Sequence, residues 1–309
     1  MNFKDKLERI VHKNNSILCV GLDIDKEMIL YNKTYLDFNK TIIDQTKDLV
    51  CAYKINMAFY EVFGKDGIDL LEKTIRYISK EIIVIIDGKR NDIGNTAKKY
   101  AENVFEKLNA DSTTLNPYLG FDGIKPFLNY NDKCSFILCR TSNPSATEIQ
   151  DLKIKNKPLY MHIAEKIREW NRQGCCGAVV GATYPDELKL VRKILGQDIP
   201  ILIPGIGAQG GDIKKTVENG TNKKGEMAVI NSSRGIIYAG SDEKVRQEAQ
   251  ILRDEINKYR WKLLTKTNKN PRFYDIYCLD VEGLHETRWL KMQIQGYILI
   301  PKTGPSLTY

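Results

Sequence analysis

Eight short, almost uniformly apolar runs recur along this chain of 309 residues, and their spacing constrains the fold more than any other feature. They are ILCVGLD from Ile17, CAYKIN from Cys51, IIVIID from Ile82, STTLNP from Ser112, SFILCRTS from Ser135, GAVVGAT from Gly177, ILIPGIG from Ile201 and MAVINSSRG from Met227. Successive starts lie 34, 31, 30, 23, 42, 24 and 26 residues apart. Runs that are apolar throughout, without alternation, read as parallel strands covered on both faces. Helical patterns fall between them, such as Ile68 to Lys80 and AKKYAENVFEKLN from Ala97. Eight βα units predict an α/β fold, a (β/α)8 TIM barrel, which typically takes about 250 residues. A doubly wound sheet is the alternative, and it rarely carries eight evenly spaced units. The barrel is expected over residues 1–264, its last helix running roughly from Ser241 to Lys262. Beyond the polar break TKTNKNP, residues 265–309 read as a C-terminal extension of uncertain structure, to which we assign no function.

Composition narrows the class. With 42% hydrophobic and 28% charged residues the chain can bury a large core, which argues against disorder or a disulfide scaffold. The longest of its purely aliphatic stretches, Ile82 to Ile86, is strand-sized and far short of the roughly 18 residues of a spanning helix. The start, MNFKDKLERIVHKN, is charged and amphipathic and has no apolar signal region, so a cytoplasmic protein without membrane contact is expected. Lys and Arg outnumber Asp and Glu by 47 to 39, a net +8 that suits an anionic partner. The basic residues are interleaved with acids rather than blocked, which favours a small phosphorylated or carboxylated molecule over nucleic acid. Of seven cysteines, Cys19, Cys51 and Cys139 sit in strand-like runs. Only three histidines occur and no CxxC pair, so a zinc site is not expected and the chain reads as metal-poor.

Polar residues gather where the runs end: Asp23, Lys54 to Asn56, Asp87 to Lys89, Asn116, Thr141-Ser142, Thr183, Gly205 to Gly207 and Ser232 to Arg234. In a barrel those ends open on one face, where active sites are built. The densest chemistry is Asp87-Gly88-Lys89-Arg90-Asn91-Asp92. Asp87 and Lys89 share one side of an extended chain, and Lys54 ends the neighbouring strand. Lys54, Asp87, Lys89 and Asp92 are therefore expected to form an alternating array of two cations and two anions. A salt-bridge network that merely closes the barrel mouth is the plainer reading. IPGIGAQGGD fits GxGxxG through Gly205, Gly207 and Gly210, but its place in the seventh unit argues against a dinucleotide site. Glycines after strand seven, an Asp212 helix cap and Arg234 after strand eight suit a phosphate instead. The long interval Asn143 to Gln173, opening SNPSATE, reads as an active-site loop.

These residues together resemble the orotidine 5′-monophosphate decarboxylases, in the branch whose third-strand motif reads DGKRNDIGNT. The likeness rests on Asp87-x-Lys89-x-x-Asp92-Ile93-x-x-Thr96, Lys54, Asp23 in VGLD, LNPYLG, TSNPSA, PGIGAQGGD and SSRG, in the family's order over residues 1 to 262. It implies decarboxylation of orotidine 5′-monophosphate (OMP) to uridine 5′-monophosphate (UMP) without a cofactor. By the resemblance, Lys89 protonates C6 of the pyrimidine, Asp87 lies beside the departing carboxylate and Lys54 stands between carboxylate and ribose. Asp23 would bind a ribose hydroxyl, Ser142 the base, and Gln209 with Arg234 the phosphate. Asn116, Gly205, Gly207 and Ser233 join the substrate-binding set. Asp92 and Thr96 would complete the site of a partner subunit in a homodimer. Two alternatives remain: a magnesium-dependent sugar-phosphate lyase of the same suprafamily, and a non-catalytic phosphate-binding barrel. The former resemble enzymes with an acidic residue after strand two, where this chain has Lys54. Ser145 departs from the family's usual glycine and touches no charged role.

Overall fold

Each of the eight apolar runs forms a strand in the structure, a computed structural model that describes residues 1–28, 34–207 and 210–267, with side chains to 260. The strands are β1 (Leu18–Gly21), β2 (Ala52–Asn56), β3 (Ile83–Arg90), β4 (Ser112–Leu115), β5 (Cys134–Arg140), β6 (Cys176–Val180), β7 (Ile201–Pro204) and β8 (Ala228–Ser232). They pair in parallel, each with its neighbour in sequence, and β8 closes on β1 through Leu18 opposite Ile230. Closure leaves no free edge, and helices between the strands cover the outside. The strand interiors are buried almost without exception, which explains why the runs carry no polar alternation.

The amphipathic start forms the helix Phe3–Lys13, capped by the Asn2 side chain, which accepts from Asp5 N. It lies across the N-terminal ends of the strands. Lys4, Lys6, His12 and Lys13 pair with Asp198, Asp111, Glu226 and Glu81, each just ahead of a strand. Phe3 meets Phe136 edge to face at 6.0 Å, so this end of the barrel is sealed by packing. The opposite end is left for chemistry.

Three expectations are adjusted. The interval from Asn143 to Gln173 is only partly loop: Leu159–Trp170 is a barrel helix, as the period of LYMHIAEKIREW allows. Ahead of it come a short helix, Thr147–Gln150, and a ribbon of Lys153–Ile154 against Lys157–Pro158, turned by Lys155 and Asn156 at positive φ. The pattern from Ala97 is α-helix only from Gly94 to Glu102 and continues as a π turn, Asn103–Lys107. The last helix, Asp242–Thr267, runs past the expected end near Lys262; residues 268–309, most of the expected extension, lie outside the described residues. Among the described residues no helix is long and apolar enough to cross a membrane, and the six described cysteines are buried and unpaired.

Candidate active site

At the C-terminal mouth, β2 and β3 deliver Lys54 and Asp87 side by side, with Lys54 opposite Ile85 in the ladder. Lys54 Nζ lies 3.3 Å from Asp87 Oδ2 and 3.5 Å from Asp23 Oδ1. Lys89 Nζ lies 2.7 Å from Asp87 Oδ1. The order Asp23–Lys54–Asp87–Lys89 thus alternates in sign, with Lys54 and Asp87 buried and the Lys89 side chain half exposed to the mouth. Burial pushes the Asp87 carboxyl up, but Lys54, Lys89 and the bonds from Lys89 and Thr114 outweigh it and hold it below the usual carboxylate range. Burial likewise pushes Lys54 down, and the facing Asp23 and Asp87 more than reverse it. Lys54 and Asp87 are each held in the charged form by the other, as a buried ion must be if it is not to be costly.

Lys89 reaches Asp87 by a route the simple extended chain does not provide. It adopts φ +47°, a region non-glycine residues seldom enter, inside an irregularity of the β3–β4 ladder between Ile86 and Arg90. With its backbone turned in this way, Lys89 still places its ammonium on Asp87 Oδ1.

The array differs from expectation in one member. Asp92 makes no ion pair with any described residue; one of its oxygens accepts from Ile93 N at 2.8 Å. Its place as second anion is taken by Asp23. Thr96 is exposed on the helix Gly94–Glu102 and turns toward a cavity of about 430 Å³ outside the barrel wall. That cavity is bounded by Met57 and Glu61 from the turn after β2, by Gly88 and Arg90 of β3 and by Thr113 of β4. Within one chain, then, Asp92 and Thr96 stand apart from the charged array.

Asp23 is fixed from three sides. Its Oδ2 accepts from Ser233 Oγ at 2.8 Å, its carbonyl accepts from Tyr238 Oη at 2.8 Å, and Tyr238 Oη in turn accepts from Asp25 N. Gly21 makes the approach possible: a Cβ there would lie 1.9 Å from Ser233 Oγ. Arg234 follows at the exposed start of the short helix Arg234–Ile237. Across from it Gly205, Gly207 and Gly210 all take positive φ, folding the β7 loop so that Gly211 N bonds to Gly205 O at 3.1 Å. Asp212 caps the next helix by accepting from Lys215 N, as its position suggested. Gln209 lies outside the described residues.

Ser142 and Asn116 follow the ends of β5 and β4. Asn116 N bonds to Arg90 O at 3.0 Å, and its side chain accepts from Tyr118 N. Ser142 packs so closely on Gly181 that a Cβ there would come within 2.8 Å of its own. Arg140, 1% exposed, lies 3.8 Å from the centre of the Tyr184 ring and donates to Gln150 Oε1, which also accepts from Thr141 N. Thr114, Tyr238, Arg140 and Gln150 escaped the sequence reading.

Fold and site define a (β/α)8 barrel with a fixed array of lysine and aspartate charges at the carboxyl ends of its strands, the face on which barrel enzymes build their active sites. The model of the orotidine 5′-phosphate decarboxylase / HUMPS family matches residues 16–249. The chain is 48% identical over 268 residues to the orotidine 5′-phosphate decarboxylase of Dehalococcoides mccartyi, covering 84% of this chain and 99% of that one. It is 45% identical over 273 residues to that of Ralstonia nicotianae, covering 84% and 100%. Among solved structures, OMP decarboxylase of Leishmania donovani superposes with TM-score 0.76 at 38% identity, over 84% of this chain and 99% of that one. UMP synthase of the same organism gives TM-score 0.78 at 40% identity, over 84% of this chain and 57% of that one. This chain belongs to the orotidine 5′-phosphate decarboxylase / HUMPS family.

Proposed function

We propose that the chain converts OMP to UMP and carbon dioxide, a step of pyrimidine nucleotide synthesis, by electrostatics alone. The observation that carries this reading is the chain of contacts Asp23–Lys54–Asp87–Lys89 at the barrel mouth of a member of this family. Loss of carbon dioxide from C6 leaves an electron pair on a ring carbon with no conjugated sink. A fixed ammonium beside that carbon stabilises the developing charge without reorganising, and can then deliver the proton. Lys89 is that group. Asp87 faces the substrate carboxylate, a like-charge contact that vanishes as carbon dioxide departs; Lys54 holds Asp87 ionised and borders the ribose. Asp23 takes a ribose hydroxyl, Ser142 the base, and Gln209 and Arg234 the phosphate, with Asn116, Gly205, Gly207 and Ser233 shaping the pocket. Binding energy gained at the phosphate serves the reacting centre only where it keeps the site closed in the transition state.

Asp92 and Thr96 fit a role outside their own subunit, since neither touches the array in their own chain. The enzyme is accordingly a homodimer in which each subunit lends them to the other. Residues 1–264 carry the activity, in keeping with a family match that ends at residue 249. The absence of any long apolar helix among the described residues accords with a cytoplasmic enzyme. Magnesium-dependent sugar-phosphate chemistry fits less well, because the Lys54 ammonium already occupies the space between Asp23 and Asp87 and repels a divalent cation. A turnover assay decides: absorbance loss of OMP in the presence of EDTA is expected to proceed at the full rate. Turnover that EDTA abolishes and magnesium restores contradicts the proposal, and so does no turnover at all.

A further inference from the structure

Opposite the irregular end of β3 stands one hydroxyl with two partners. The β3–β4 register passes from Ile86 opposite Thr113 directly to Arg90 opposite Leu115, so Asp87, Gly88 and Lys89 together face the single residue Thr114. Thr114 is 1% exposed. Its Oγ1 lies 2.8 Å from Asp87 Oδ1 and 2.9 Å from Lys89 N. An ionised carboxylate only accepts and an amide only donates, so the directions are fixed: the hydroxyl proton goes to Asp87 and its lone pair takes the Lys89 N–H. In this way the side chain replaces the ladder bond that the bulge removes. A positive φ at a lysine is strained and persists only where neighbours enforce it.

We propose that Thr114 is a positioning residue for the reaction, setting the Asp87 carboxylate and locking the Lys89 backbone in the turn that aims its ammonium. The inference rests on the reading of Asp87 and Lys89 given above. Thr113 is a built-in control. Its hydroxyl donates to Ile86 O at 2.9 Å, but its side chain faces the cavity outside the wall.

The test is steady-state OMP kinetics with UMP binding for wild type, Thr114→Val, Thr114→Ala, Thr114→Ser and Thr113→Val. Removing the Thr114 hydroxyl is expected to lower kcat by about 10–100-fold, the scale of a small misplacement of reacting groups. KM and the UMP Kd should stay near wild type, and Thr114→Ser, which keeps the hydroxyl, should restore most of kcat. Thr113→Val should leave kcat unchanged. If Thr114→Val does not fold, the pair Thr114→Ala and Thr114→Ser decides. The proposal is overturned if the hydroxyl-free variants keep wild-type kcat, or if Thr114→Ser falls as far as they do. A wild type that does not turn over OMP overturns the reading of the site instead.

Discussion

Lys54 is the residue on which the charge balance of the mouth depends. It is buried between two carboxylates, and breaking a buried pair by removing one partner typically costs about 3–5 kcal/mol. Its raised pKa supplies stability that is complete below the ordinary lysine value and is lost only as pH rises through the folded one. Asp87, held low, supplies stability that is present above the ordinary aspartate value and is lost as pH falls through the folded one. Lys54→Met removes the largest influence opposing burial at Asp87 and leaves Lys89 and Thr114 against it. Its folded pKa rises relative to wild type, so protonation costs the variant less than it costs wild type. We expect a penalty of about 3–5 kcal/mol at pH 7 that shrinks as pH falls into the acidic range, read from urea unfolding of variant and wild type. A penalty that stays constant or grows on acidification contradicts this account.

The charged residues at this scale were largely legible from sequence. Lys54, Asp87 and Lys89 stand directly after apolar runs, where burial makes an ion conspicuous. What the sequence hid are contacts made by folding: Tyr238 reaches Asp23 across 215 positions and Thr114 reaches Asp87 across 27. A tyrosine or threonine is ordinary in any strand or helix, so nothing local marks it. The lysine's left-handed backbone was equally invisible, because the bulge that produces it is a property of two paired strands.

Elements were legible for a different reason. A parallel strand covered on both faces is apolar at most positions, and so the strands announce themselves, β4 with its buried Ser112, Thr113 and Thr114 least of all. Their joints do not, and Arg192 shows how one joint is made. Buried at the end of the helix Pro185–Leu195, it donates to Gly196 O, Ile199 O, Gly220 O and Met227 O at 2.6 to 3.1 Å. These carbonyls close two helices and precede β7 and β8, so one guanidinium ties four segments at the sealed end of the barrel. Burial lowers its pKa to about 10, which still leaves it charged at neutral pH. Arg192→Met leaves those carbonyls without their donor and should cost about 3–5 kcal/mol, seen as a lower urea midpoint. Arg192→Lys recovers only part, since an ammonium lacks the planar fork. KM should not change, because the joint lies at the opposite end from the mouth. An unchanged midpoint in Arg192→Met contradicts the role assigned to it.

At the scale of the whole molecule the barrel seals one end with the helix Phe3–Lys13 and opens the other to an anionic substrate. The net +8 read from composition becomes specific there, in a few fixed charges rather than a basic surface. Asp92, the last residue of DGKRND, makes no ion pair with the described residues. We propose that Lys89 acts in one subunit while Asp92 of the same chain serves the other. Refolding Lys89→Ala and Asp92→Ala chains together tests it. Each variant alone should be nearly inactive. A mixed dimer, however, holds one site with both residues intact, so an equal mixture should recover about one quarter of wild-type kcat per site. A mixture no more active than its parents, with wild type recovering fully from the same treatment, would contradict the shared site.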